Sequence, residues 1–297
     1  MVFKETRVKD AEAIADAATD YECDLPKALI SALHIRIHGT GGAGAVALAY
    51  TMLTNVRIDT DGKDTKPMDE SSAQLARRSG ILEGIPQAPT SSAGAYSDIP
   101  LNLYFGTEKR DKRMMLDLRG CSKRKLKLTF DAVLVAATRF AAGAPKFTLI
   151  AVVWIGNPPI EYVGKHIRQE QILSQATATG DFGPWYNTPL YQNGQLAFLD
   201  ITVSAVTTVE NVELTAKNDK ISLINEHFRD IMGRMNFERH LDTALTLTAY
   251  YDWMFLDRYK TQIEELPSCD LLEDTKLVIE RGATTTTIVL CLGTLVP

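Results

Sequence analysis

The run Gly39-Thr40-Gly41-Gly42-Ala43-Gly44 is the first place in this chain where the residue types could do chemistry. A glycine-rich turn lets backbone N–H groups close on a phosphate, but a phosphate loop must end in Gly-Lys-Ser/Thr and open a helix. Here Ala45-Val46-Ala47-Leu48-Ala49 follows, with no lysine, so a flexible turn is expected. His34 and His38 fall on one face of a strand-like run. At a rise of about 3.3 Å per residue they lie about 13 Å apart, too far to clasp one metal ion. Asp59-Thr60-Asp61-Gly62-Lys63-Asp64 looks like the opening of a calcium loop, and Glu70 is twelfth from Asp59. An EF-hand loop has its glycine at position six between two helices, whereas this one has it at four after strand-like residues, so a hairpin turn is expected.

His166, His227 and His240 are isolated and read as surface or capping residues. Two aromatic groups, Trp185, Tyr186 and Tyr191, and Tyr250, Tyr251, Trp253, Phe255 and Tyr259, have the composition of a sugar platform. Aromatics are equally enriched in cores and at subunit contacts, and packing is the expected role. Cys23, Cys121, Cys269 and Cys291 stand far apart without a Cys-x-x-Cys pair, which points neither to zinc nor to a redox motif. No catalytic, cofactor-binding or metal-ligating residue is assigned, and no cofactor is expected.

The elements that would position such groups are mostly strands. Leu33, Ile35 and Ile37 alternate with His34, Arg36 and His38, the period of a half-buried strand. Further strands are expected at Ala45 to Ile58, Ile99 to Phe105, Met114 to Leu118, Lys125 to Phe130 and Phe147 to Ile155. Ser71 to Arg78 reads as a short helix capped by Ser71 or Ser72. The loop Gly80 to Asp98 is long and polar. The dense basic stretch Lys109 to Arg113, continuing at Lys123, Arg124, Lys125 and Lys127, reads as a solvated strand edge. Val8 to Asp20, rich in Ala, Asp and Glu, reads as a helix.

The second half repeats the grammar of the first. Asn55-Val56-Arg57-Ile58-Asp59 is echoed by Asn211-Val212-Glu213-Leu214-Thr215, and Leu33 to Ile37 by Leu199 to Val203. The closing run Phe147 to Gly156 is echoed by Thr285 to Gly293. Between them come strands expected at Gln195 to Val206, Val209 to Ala216, Leu241 to Tyr251 and Lys276 to Glu280, with a helix near Leu223 to Met232. Gly156-Asn157-Pro158-Pro159 breaks any ladder and marks the boundary. The expected organisation is an N-terminal helical arm over 1–24, one all-β sandwich over 25–157 and a second over 158–297. Eight or so strands per half with a short helix suit a jelly roll better than an immunoglobulin-like sandwich.

With 297 residues, 45% of them hydrophobic, the chain can fill two cores. A net charge of −5 gives no basic excess for phosphate backbones, so no direct nucleic-acid partner is expected. The charged start Met1 to Arg7 lacks the apolar core of a secretory signal, pointing to synthesis in a cytoplasm. The longest apolar run, Phe147 to Ile155, is shorter than the about 20 residues a membrane-spanning helix needs.

On Leu33 to Thr40, Leu53 to Lys63, their second copies at Leu199 to Val206 and Val209 to Lys220, and the strands Ile99 to Phe105 and Lys125 to Phe130, the chain resembles the double jelly-roll major capsid proteins of tailless icosahedral viruses that enclose a membrane, lipid-containing bacteriophages among them. That resemblance implies a structural protein rather than an enzyme: a homotrimer of two barrels per chain that forms pseudo-hexagonal capsomers of a virion. It further implies contacts with neighbouring capsomers and with penton or minor capsid proteins, and an N-terminal arm turned toward the internal membrane. Two other readings differ in what they predict. A jelly-roll lectin or receptor-binding spike would bind glycan around Trp185 or Trp253, and a bicupin-like enzyme would hold a transition metal, although the paired-His motif of cupins is missing.

Overall fold

The structure, a computed structural model, describes residues 2–44, 52–72, 74–76, 78, 93–130, 134–177, 182–186, 194–203, 209–216, 221–227, 250–254, 266, 276–281 and 286–297. Two compact units divide the chain, Met1–Arg168 with Pro297 and Gln169–Val296.

In the first unit the strands are β1 (Val2–Ala13), β2 (Asp20–Asp24), β3 (Leu29–Thr40), β4 (Leu53–Thr60), β5 (Met68–Glu70), β6 (Tyr96–Tyr104), β7 (Leu116–Asp117), β8 (Arg124–Phe130) and β9 (Lys146–Ile155). They form one sheet in the order β1-β9-β3-β6, with β7 added to β3, and another in the order β2-β8-β4-β5. The alternation read in Leu33, Ile35 and Ile37 sets the register: Ile35 lies between Leu101 and Leu149, and Ile37 between Ile99 and Phe147. On the facing sheet Val56 pairs with Leu128, and Ile58 with Leu126. These side chains are all but fully buried and belong to one core, so the two sheets close as a sandwich.

The second unit takes β10 (His166–Thr177), β11 (Phe182–Tyr186), β12 (Gln195–Val203), β13 (Val209–Ala216), β14 (Ile221–His227), β15 (Tyr250–Met254), β16 (Lys276–Arg281) and β17 (Thr286–Val296). The order β10-β17-β12-β15 matches β1-β9-β3-β6 strand for strand, and β11-β16-β13-β14 matches β2-β8-β4-β5. Two eight-strand, two-sheet, Greek-key arrangements therefore follow one another, and each is the order of a jelly roll. The echoed segments fall on equivalent strands: β3 with β12, β4 with β13, β9 with β17.

Three expectations are corrected. The Ala/Glu-rich N-terminus is not a helical arm; β1 pairs antiparallel with β9 from Val2↔Ile155 to Ala13↔Lys146. An isolated helix of that length is marginal in water, whereas β9 offers a ready ladder and places for Phe3, Thr6 and Val8. Second, β8 with its lysines is no edge, since it is bonded to β2 on one side and β4 on the other. Third, Leu223 to His227 continues a strand paired with β13, and the rest of the expected second helix lies outside the described residues. The short helix after β5 does form, with the Leu75 N–H donating to Ser71 O at 3.1 Å and Ser71 Oγ meeting Gln74.

Candidate functional site

The glycine run ends β3 and is closed by the chain itself. The N–H groups of Gly41, Gly42 and Gly44 donate to the carbonyls of Ala95, Arg139 and Ala137 at 2.7, 2.8 and 2.9 Å. A side chain at Gly39 would strike Ala144 O, and one at Gly42 would strike the carbonyls of Ala136 and Ala137. Glycine is thus required for backbone packed on backbone, and the donors that would cradle a phosphate are spent. The run is a fixed crossing rather than a flexible turn.

His34 and His38 face outward from β3, as the alternation predicts. His34 Nδ1 meets Asn102 Oδ1 at 2.7 Å, while His38 Nε2 meets Thr148 Oγ1 at 2.8 Å and its ring lies 5.8 Å from that of Tyr96. Partial burial, with Arg36 adding to it, holds the His38 imidazole below its ordinary pKa. Arg36 between them is tied to Asp98 at 2.5 Å. Among the described residues no group of His, Cys, Asp and Glu is arranged to hold a metal ion.

The carboxylates of the Asp59 to Asp64 turn are likewise committed to protein donors. Asp59 lies 2.6 Å from Arg57 and 3.1 Å from Lys127; burial pushes its pKa up, but these two cations leave it below the ordinary range. Asp61 accepts the N–H groups of Ser122 and Lys123 at 3.2 and 3.0 Å and the Ser122 hydroxyl. Asp64 is buried, with His166 Nε2 and Arg168 Nη1 each at 3.0 Å. Desolvation raises its pKa, but the two bases outweigh it and the carboxyl ends below the usual range. This trio was not legible beforehand, because its members lie a hundred residues apart, and His166, expected as a surface or capping residue, is instead buried. A second buried pair joins Glu70 and Arg78 through two bonds of 2.8 and 2.5 Å. On the outer face of β8, Lys125 meets Glu22 and Asp24, and Lys127 meets Asp59 and Glu22. That face is an interleaved charge ladder, not a basic patch.

Beside the Asp64 trio lies an open cavity of about 460 Å³, lined among others by Lys63, Asp117, Cys121, Tyr162 and His166. It holds no activated nucleophile: burial raises the Cys121 thiol, which sits 3.9 Å from Asp117 O, and pushes the Tyr162 phenol up to about 12. The His166 imidazole is engaged by Asp64.

Of the aromatic groups, Trp185 and Tyr186 lie in β11 opposite Leu277 and Lys276, whereas Tyr250, Tyr251 and Trp253 lie in β15, opposite Thr202, Ile201 and Leu199 of β12. The two groups belong to different sheets of the second unit. Tyr191, Phe255 and Tyr259 lie outside the described residues, as do His240 and Cys269. Cys23 and Cys121 are free and buried, and burial pushes the Cys23 thiol up to about 12. No helix among the described residues is long and apolar enough to cross a membrane.

No family model and no curated protein matches the sequence. Solved structures match over the whole chain. The crystal structure of the STIV (Sulfolobus Turreted Icosahedral Virus) MCP aligns with a TM-score of 0.68 at 9% identity, covering 100% of this chain and 98% of that one. The major capsid protein of bacteriophage PM2 aligns with a TM-score of 0.65 at 13% identity, over 99% of this chain and 97% of that one. The PBCV-1 virus capsid gives 0.63 at 9% identity, over 99% and 93%. The likeness extends through both units, and with the strand order above it shows that this chain has the double jelly-roll fold of those viral coat proteins.

Proposed function

We propose that the protein is a major capsid protein, a homotrimer whose two barrels per chain give six similar blocks and hence a pseudo-hexagonal capsomer of a virion that encloses a lipid membrane. The observation that carries this reading is one eight-strand order built twice in the chain, by β1 to β9 with β7 left aside and again by β10 to β17. One barrel repeated three times makes a triangle, whereas two like barrels repeated about a threefold axis approximate a hexagon, and hexagons tile a shell. Closed threefold symmetry also stops open-ended polymerisation within the capsomer. Trimer faces would bury more than the about 1,200 Å² of a standard interface, with smaller and more polar contacts to neighbouring capsomers.

The role is structural, without a catalytic step. The charged groups of the first unit support it: Asp59, Asp64, Glu70 and Asp111 are all satisfied from within, in the manner of groups that rigidify a block. The test is light scattering of the purified protein followed by electron microscopy. A mass near three chains with a six-sided outline is expected; a monodisperse monomer at every concentration rejects the capsomer.

A further inference from the structure

We propose that the cavity beside Asp64 binds a small organic anion with a compact apolar body, the charge being met by Lys63 and His166 and the body by Leu116, Leu118 and Tyr162. All the residues that line it belong to the first unit, so one chain carries the whole site whatever its state of assembly.

Three segments wall the cavity. The turn Thr60 to Asp64 leads out of β4, Leu116 to Cys121 comprises β7 and the turn after it, and Tyr162 to His166 leads into β10. They are tied to one another before any ligand arrives. Asp61 holds the N–H groups of Ser122 and Lys123, the Met115 N–H donates to Lys165 O at 3.1 Å, and Tyr162 Oη donates to Met115 O at 3.3 Å. Glycines keep the space open: a Cβ added at Gly120 or Gly164 would meet no atom within 4 Å. The volume of about 460 Å³ falls within the roughly 300–1,000 Å³ of small-molecule sites, which are pre-formed and carry a few placed polar groups on an apolar wall.

The polar groups left over on this wall are those of an anion site. Asp64 is matched by Arg168 and His166, and Asp117 by Arg119 at 2.9 and 2.7 Å, so both acids that line the cavity are neutralised. Lys63 is exposed and pairs with no acid among the described residues. Its ammonium is uncompensated, and a concave, partly apolar surface concentrates the field of such a charge. His166 contributes the second group. Its side chain is 5% exposed and its Nε2 is bonded to Asp64, whereas Nδ1 has no partner among the described residues and is not sealed off, so it opens on the cavity. That nitrogen offers a lone pair on a neutral ring and an N–H on a protonated one, and an anion selects the second form. The ring then stands between two negative charges with both nitrogens satisfied. Leu116, Leu118 and Tyr162 add apolar surface that a hydrated inorganic ion would leave wet and an organic body would cover.

Titration of the purified full-length protein with naphthalene-2-carboxylate, followed by the fluorescence of the probe, tests this. Saturable binding is expected, with the neutral naphthalene-2-carboxamide and the small anion acetate each weaker by about tenfold or more. Bound probe should slow the alkylation of Cys121, which lines the cavity, and leave that of Cys23, which does not, unchanged by mass spectrometry. Lys63→Glu, at an exposed position, is expected to weaken binding about tenfold at an unchanged melting temperature. Gly120→Leu, for which the fold has room, should weaken it by filling the space. His166→Gln keeps one donor for Asp64 but lacks the second ring nitrogen, and should weaken the carboxylate more than the carboxamide. Wild type that binds the probe no more tightly than Lys63→Glu overturns the proposal. So does a carboxamide that binds as well as the carboxylate, binding that leaves Cys121 unprotected, or no saturable binding at all.

Discussion

Asp64 shows how single residues stabilise the first unit. Its carboxylate faces Arg168 and His166 out of water, and removing one partner of such a buried group costs about 3–5 kcal/mol because a charge is left desolvated. Asp64→Asn is therefore expected to lower the unfolding free energy by that order, read as a fall in the urea midpoint at unchanged slope. Its folded pKa lies below the unfolded value, so its contribution is complete above about pH 4 and is lost as pH falls through the folded value. The stability gap between wild type and Asp64→Asn should narrow on acidification. A gap independent of pH would assign the loss to packing rather than charge. At Gly293, opposite Phe198 in the β12–β17 pair, a methyl group would enter the aromatic ring. Gly293→Ala should cost about 1–3 kcal/mol by overpacking, read as a lower melting temperature. Ala11 has φ 49, a left-handed conformation at a bulge between Lys9 and Glu12. Ala11→Gly relieves it and is expected to raise the melting temperature slightly.

At the scale of elements, β1 is a strand that sequence reasoning read as a helix. Propensity favoured a helix, and the strand forms because β9 supplies partners at Val2↔Ile155 through Ala13↔Lys146. Its two register shifts and its charges, Lys4, Arg7 and Lys9, are devices that keep the end of a sheet from pairing with foreign strands. Deleting residues 1–13 is expected to uncover β9 and yield aggregated protein in size-exclusion chromatography. A soluble, monodisperse deletion product would mean that β1 is dispensable, as a detached arm would be. The strands that were legible, β3, β6, β8 and β9, have period-two cores, and that period is a local property of the chain. The strands that were not, β1, β2 and β10, carry mixed or charged residues whose conformation depends on a distant neighbour. The buried trio was illegible for the same reason, whereas the Asp59 to Asp64 turn was placed correctly as a hairpin because Asp, Gly and Lys mark turns by themselves.

At the scale of the molecule, the repeated grammar determined most. The echo of Asn55 to Asp59 at Asn211 to Thr215, and of β9 at β17, already specifies a duplicated all-β chain, since alternating burial and turn chemistry are written in adjacent residues. Only the tertiary structure decided that the two copies share one strand order, that the N-terminus is the first of those strands, and that the glycine run packs instead of binding. The reason is physical: hydrogen bonds between strands and contacts between sheets join residues far apart in the chain, and no local pattern records which partner a backbone group will find.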